Sequence, residues 1–247
     1  MENGNIIECK SLNKWYSGVH ALKDFNLSIE KDSVVGLIGD NGAGKSTLIK
    51  ILSGAHKADS GQVFFEGNEV KFRSTKEAMN LGIETIYQYS ALIPEMSIAR
   101  NIFIGREQIS YKIGSLGIMK RKEMDTAAME ALNDVELHLR SPETPVNQLS
   151  GGERQGVVIA RAMYFKSKLL ILDEPTNHLS VKETSKVLRF VEGLKKQGVT
   201  SIFITHNLNH IFPIADHLCV MARGEKISDM EKKDTTIEEL TDLLVNG

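Results

Sequence analysis

Apolar and polar positions alternate along residues 6–16, 25–29 and 63–72, the period of strands with one buried face. These segments predict a small antiparallel sheet near the N-terminus. The pattern changes at Val34-Val35-Gly36-Leu37-Ile38-Gly39, which is apolar on both faces, as a buried parallel strand is. A glycine-rich turn follows, and then a helical stretch in which Leu48, Ile51 and Leu52 share one face. Further apolar runs at 83–87, 169–172, 201–205 and 218–222 read as strands, with helices predicted at 151–164, 181–197, 207–215 and 237–245. Residues 89–148 are mostly charged and helix-favouring, and read as a helical insertion joined back by Ser141-Pro142-Glu143-Thr144-Pro145. The alternation of strands and helices predicts an α/β fold with a mostly parallel sheet covered by helices. It is expected to be one domain over 1–247, with its core built from 1–88 and 156–247 and a helical subdomain at 89–155.

Composition narrows the function. The 247 residues carry 30 Lys plus Arg against 32 Asp plus Glu, a formal charge of -2. A nucleic-acid binder would show a basic excess, so no nucleic-acid partner is expected. No run approaches the roughly 18 apolar residues of a membrane span. The first five residues lack a basic start followed by an apolar run, so no signal peptide is expected. Cys9 and Cys219 lie far apart with no metal-ligand cluster around them, which suits a reduced chain better than a disulfide scaffold.

Three motifs carry chemistry. Gly39-Asp40-Asn41-Gly42-Ala43-Gly44-Lys45-Ser46, followed by Thr47, fits the phosphate-loop pattern and stands between a buried strand and a helix. Small residues let the backbone wrap around phosphate oxygens, with N–H groups and the helix N-terminus facing the negative charge. Lys45 would reach the β- and γ-phosphates, and Ser46 would place its hydroxyl on Mg²⁺. The second motif, Leu169-Leu170-Ile171-Leu172-Asp173-Glu174, sets two carboxylates at the C-terminal end of a buried strand, where ligands gather in such sheets. Asp173 is placed to hold the Mg²⁺, through a water, and Glu174 can point towards an attacking water. The third is Leu149-Ser150-Gly151-Gly152-Glu153-Arg154-Gln155, in which Ser150 occupies a helix N-cap position and two glycines open the helix, making a second anion site.

That third motif resembles the signature sequence of ABC-type ATPases, and the family's other motifs stand in the family's order. Gln88 matches the Q-loop, Asn177-His178-Leu179-Ser180 the D-loop, His206 the switch histidine, and Tyr16 the aromatic that stacks on adenine. The resemblance covers about residues 6–228. It implies a P-loop NTPase core with an antiparallel β subdomain and a helical subdomain. It also implies ATP and Mg²⁺ as ligands. The nucleotide would be bound by Tyr16, Gly39, Asn41, Gly42, Ala43, Gly44, Lys45, Ser46, Thr47 and Gln88. Ser150, Gly151, Gly152 and Gln155 would bind it from a partner, because in this family the signature of one subunit closes on the ATP of the other. Glu174, His206 and Lys45 would serve hydrolysis, and Ser46, Gln88 and Asp173 would hold the metal.

Several phrases, among them Leu92-Ile93-Pro94-Glu95-Met96-Ser97-Ile98 and Asn101-Ile102-Phe103-Ile104-Gly105-Arg106-Glu107, resemble the ATP-binding subunits of bacterial monosaccharide importers. The chain resembles their short, single-cassette form. The resemblance implies a second cassette as homodimer or heterodimer partner, transmembrane permease subunits, a separate solute-binding protein and a peripheral place on the cytoplasmic face of the membrane. Leu92, Ile93, Met96, Ile98, Ile102 and Phe103 are candidates for the groove that receives a permease helix, or else ordinary core positions of the helical insertion. Tyr89 and Arg100 depart from the subfamily's usual acidic residues, and Ser180 ends the D-loop where many ABC ATPases have Asp. The other class open to such a chain is a soluble, non-transport ABC ATPase acting on nucleic acid or an assembly partner.

Overall fold

The computed structural model describes residues 4–87, 92–113 and 116–246. In chain order its elements begin with β1 (Asn5–Tyr16), β2 (Val19–Glu30), β3 (Val34–Ile38) and α1 (Lys45–Leu52). Next come β4 (Ser60–Phe65), β5 (Asn68–Val70), α2 (Thr75–Leu81) and β6 (Ile83–Ile86). The middle of the chain forms α3 (Ile98–Phe103), β7 (Ile109–Ile113), β8 (Leu116–Met119), α4 (Arg121–Asp134) and α5 (Gly151–Tyr164). Then follow β9 (Leu169–Asp173), α6 (Val181–Lys196), β10 (Thr200–Thr205), α7 (Leu208–Ile211), β11 (His217–Ala222), β12 (Glu225–Glu231) and α8 (Ile237–Asn246).

Contacts divide the chain into two compact units. The first comprises the described parts of 1–88, 167–177 and 191–247. It holds a six-stranded sheet in the order β12-β11-β3-β10-β9-β6 and a four-stranded antiparallel sheet in the order β2-β1-β4-β5. In the larger sheet β11, β3, β10, β9 and β6 run parallel, and only the edge strand β12 is antiparallel. Every residue of β3 and β10 is buried, as are Leu169 to Leu172 of β9. The apolar face of the antiparallel sheet (Ile7, Leu12, Phe25, Leu27), α1 (Leu48, Ile51, Leu52) and the larger sheet (Leu37, Ile171, Ile204) share one core.

Three hairpins of this unit close through two-residue turns with positive φ at both positions: Ser17-Gly18, Glu66-Gly67 and Arg223-Gly224. That geometry matches the right-handed twist of the paired strands. It accounts for two departures from the expected elements. Residues 63–72 form two strands rather than one, because Glu66-Gly67 reverses the chain. β12 was absent from the expected strands, because its sequence is half charged and it forms a partly exposed edge. The helix expected at 207–215 is only four residues long. Pro213 has no N–H to continue the hydrogen-bond ladder into a second turn, and the helix ends.

The second unit comprises the described parts of 89–166 and 178–190. It is helical, as expected, around α3, α4, α5 and the start of α6, but it also contains the β7–β8 hairpin, which the charged composition did not suggest. Tyr111 and Ile118 pair across that hairpin and are both exposed. Phe103 is fully buried and meets Tyr164 and Phe165 edge to face. Buried Asn101 ties down the preceding loop: its Oδ1 accepts from Ile93 N at 2.7 Å, and its Nδ2 donates to the carbonyls of Ile93, Met96 and Ser97. Of the apolar residues considered for a permease groove, Leu92, Ile98, Ile102 and Phe103 are core residues, Met96 is half-buried, and Ile93 is exposed. The first four are therefore corrected from docking surface to packing. Among the described residues, no helix is long and apolar enough to cross a membrane.

Cys9 in β1 and Cys219 in β11 are free and buried. Burial, reinforced by Glu8, pushes the Cys9 thiol up to about 12, and burial pushes Cys219 up as well. A thiol with no thiolate and no access is inert. In native protein at neutral pH, both cysteines should resist N-ethylmaleimide, and both should react after unfolding in guanidinium. Intact mass with and without denaturant would show this.

Candidate active site

Parallel pairing sets the frame. β10 lies between β3 and β9, pairing Thr205 with Ile38 on one side and Ile204 with Asp173 on the other. The phosphate loop leaving β3, the carboxylates leaving β9 and His206 leaving β10 therefore emerge side by side at the carboxyl edge of the sheet. That edge is where ligands bind in folds of this kind.

The loop after β3 closes on itself and on the start of α1. Gly44 takes φ 103°, and a Cβ there would lie 2.7 Å from Ala21 O, so both backbone shape and packing require glycine. Gly44 O accepts from Thr47 N and Leu48 N at 3.0 Å each. The Lys45 and Ser46 N–H groups, which precede them in the first turn, have no intrahelical acceptor. The Lys45 ammonium donates to Gly39 O at 2.6 Å and Asp40 O at 3.0 Å, which fixes it inside the loop. Burial lowers its pKa, and Glu174, Asp173 and Asp40 pull it back up. A cavity of about 520 Å³ opens here, lined by Asn41 to Thr47 and by Val19, His20, Ala21, Lys23 and Arg223.

His20, Lys23 and Arg223 were given no place at the site from the sequence, although the Arg223-Gly224 pair is part of the subfamily resemblance. Each belongs to a hairpin that folding brings to the loop, and nothing local in sequence announces that. Tyr16 does not line this cavity. It is part-exposed on β1, with its hydroxyl 2.7 Å from His56 Nδ1. Trp15 instead stacks on His20 at 4.0 Å between centroids.

Glu174 has an unusual backbone, φ 50°, and its N–H still donates to Ile204 O at 3.0 Å. The turn swings its carboxylate back over the end of β10. Oε1 accepts from His206 N at 3.2 Å and contacts His206 Nδ1 at 2.8 Å, while Oε2 accepts from the buried Thr205 hydroxyl at 3.3 Å. The Glu174 side chain is 12% exposed and that of His206 64%, so a sheltered carboxylate is paired with an accessible imidazole. Thr205 was not picked out from the sequence. Asp173 is held above the usual carboxylate range by burial first and then by Glu174, against Lys45 and Lys50. A hard cation beside Asp173 and the Ser46 hydroxyl would relieve that strain, and both offer the oxygen donors such an ion prefers. Among the described residues no three His, Cys, Asp or Glu side chains gather to hold a metal. An ion here would therefore share its coordination with ligand oxygens and water. Gln88 lies outside the described residues.

The remaining predicted residues lie in the helical unit. Ser150 caps α5: its hydroxyl accepts from Glu153 N at 3.3 Å, and Glu153 Oε2 accepts from Ser150 N at 2.8 Å. The glycine pair has a packing reason as well. A Cβ on Gly151 would lie 2.5 Å from a Leu179 methyl, and one on Gly152 would lie 3.1 Å from Glu183 Cβ. Gly152 N donates to Glu183 Oε1 at 3.2 Å. Gln155 follows on the same helix, its Oε1 buried with no hydrogen-bond partner among the described residues.

A family model described as ABC transporter matches residues 22–177. The chain is 43% identical to the xylose/arabinose import ATP-binding protein of Sulfolobus acidocaldarius, over 98% of this chain and 94% of that protein. Its identity to the fructose import ATP-binding protein of Rhizobium meliloti is 39%, over 95% and 91% of the two chains. A galactose/methyl galactoside import ATP-binding protein of Photobacterium profundum is 36% identical over 98% of this chain, which spans 48% of that longer protein. Among solved structures, an ATP-binding cassette of an ABC transporter in its ADP conformation matches with a TM-score of 0.84 and 27% identity, over 98% and 99% of the two chains. A dimeric post-hydrolysis cassette bound to ADP and phosphate matches with a TM-score of 0.75 and 27% identity, over 92% and 98%.

Gly44→Ala should destabilise the protein without any ligand present, by about 1–3 kcal/mol, through positive-φ strain and the clash with Ala21 O. Urea unfolding of the variant and parent, both nucleotide-free, would measure it.

Proposed function

This chain belongs to the ABC transporter family of ATP-binding cassettes, and from that premise we propose that it is the ATPase motor subunit of a sugar importer. The support is the relatives, named for sugar import and matched over nearly their whole length in the two most similar reported. Two copies, or this chain and a second cassette, would close head to tail over two ATP molecules. Separate membrane subunits would carry the sugar, and a separate solute-binding protein would deliver it. The assembly would sit peripherally on the cytoplasmic face of the membrane. No relative reported is named for action on nucleic acid, so the soluble alternative has no support.

The observation that carries the chemistry is the Glu174 carboxylate, held by Thr205 and His206 next to the phosphate loop. In the proposed mechanism, the loop from Gly39 to Thr47 wraps the β- and γ-phosphates with N–H groups. Lys45 leaves the Gly39 and Asp40 carbonyls to meet them, and Tyr16 stacks on adenine. Glu174 orients a water or takes its proton, and the αL turn at 174 aims it. His206 keeps the carboxylate in place through Nδ1 and turns its other face to the γ-phosphate. Ser46, Asp173 and Gln88 would hold Mg²⁺, which when bound neutralises charge on the phosphate oxygens. Ser150, Gly151, Gly152 and Gln155 of each copy would grip the γ-phosphate held by the other.

Glu174→Gln should keep MgATP affinity within about two-fold and lose about 10²–10³ in turnover, because its carboxylate acts in the transition state. With MgATP it should accumulate as a dimer, seen by light scattering. Lys45→Ala should instead weaken ATP binding about ten-fold or more, seen by titration calorimetry. Normal turnover in Glu174→Gln would remove Glu174 from the proposed role.

A further inference from the structure

The donors that the proposed dimer needs are already in use. Ser150 and Gly152 are to meet the partner's γ-phosphate, yet Gly152 N donates to Glu183 Oε1 at 3.2 Å. Glu183 lies in the first turn of α6, and its other oxygen serves that helix. Oε2 accepts from Ser180 N at 3.0 Å and from the Ser180 hydroxyl at 2.8 Å. One carboxylate thus bridges the N-termini of two helices, with both positive ends directed at it.

The two halves of the bridge differ in strength. Oε2 has two donors, one of them a hydroxyl that a carboxylate at position 180 could not supply. Oε1 has the Gly152 N–H, at the longest of the three distances, and the Ser150 hydroxyl at the same helix end also interacts with the carboxylate. The carboxylate is more acidic than usual, held at about 2 by Ser180 first, through backbone and hydroxyl, then by Gly152 and, less, by the Ser150 hydroxyl. It is charged under all ordinary conditions. A γ-phosphate arriving at Gly152 therefore meets an anion of like charge on the same donor. Turning the carboxyl about its anchored Oε2 would free Gly152 without uncapping α6.

Resting on the head-to-tail reading above, we propose that Glu183 is a latch on the signature helix: it holds the Gly152 N–H in the open subunit and must release it before two copies close on ATP. Glu183 is a positioning residue that raises the nucleotide concentration at which the dimer forms. It is not part of the hydrolytic machinery. The two glycines serve the latch too, since they let α6 approach α5 closely enough for the bridge to form.

The test is the MgATP dependence of dimer formation by light scattering, in the Glu174→Gln background, with Glu183 intact, Glu183→Gln or Glu183→Ala. Both substitutions should lower the MgATP needed for half-dimerisation, by about three- to ten-fold in Glu183→Ala and by less in Glu183→Gln, which keeps an acceptor but not the charge. Thermal unfolding without nucleotide should move the other way, with Glu183→Ala melting lower because a cap is lost. A contact that only supported the fold would weaken dimerisation along with stability. Unchanged or higher MgATP requirement in both variants, with a dimer forming normally in the parent, overturns the latch alone. Dimers that appear only when Glu183 is replaced support it most strongly. If none of the three proteins dimerises at saturating MgATP, the head-to-tail reading falls and the latch with it.

Discussion

A strand buried on both faces has nowhere to keep a charged side chain except at its ends, and parallel neighbours place those ends together. β3, β10 and β9 obey this constraint: their interiors are wholly apolar or small, Asp173 ends β9, and Lys45, Glu174 and His206 follow the carboxyl ends. The pairing of Thr205 with Ile38 and of Ile204 with Asp173 then sets how far apart these groups can be. The site is a consequence of sheet register before it is a consequence of any particular side chain. That is why the buried Thr205 hydroxyl and the Ile204 carbonyl, which no motif includes, hold Glu174 by side chain and backbone.

What could be read from the sequence follows the same physics. Continuous apolar runs identified the central parallel strands, because burial on both faces leaves no alternative composition. The glycine-rich loop was legible because its residue types are dictated by backbone shape. Legibility failed where the determinant was not local. β12 is half charged and forms only because Arg223-Gly224 turns the chain back onto β11. The β7–β8 hairpin is a different case: residues 109–119 hold one charged residue, Lys112, and their apolar strand signal was submerged in the charged composition of 89–148 taken as a whole. His20, Lys23 and Arg223 reach the phosphate loop through hairpins that close far away in sequence.

The signature motif shows how one pair of residues can answer two demands. Read alone, two glycines after a serine N-cap suggest an anion cradle. In the folded chain the same glycines admit Leu179 and Glu183 against the start of α5, which a Cβ would obstruct. Packing and the proposed recognition therefore ask for the same absence of side chain. The capping box formed by Ser150 and Glu153 stiffens the helix end on which both depend.

Glu174 stands in the left-handed backbone region, where a residue with a Cβ costs about 1 kcal/mol or more. Glycine or asparagine would sit there at less cost. The residue is thus one the fold would exchange unless the role proposed for it forbids the change. On the role proposed for Glu174, a gene copy released from selection for turnover would gain stability, rather than lose it, by exchanging this residue.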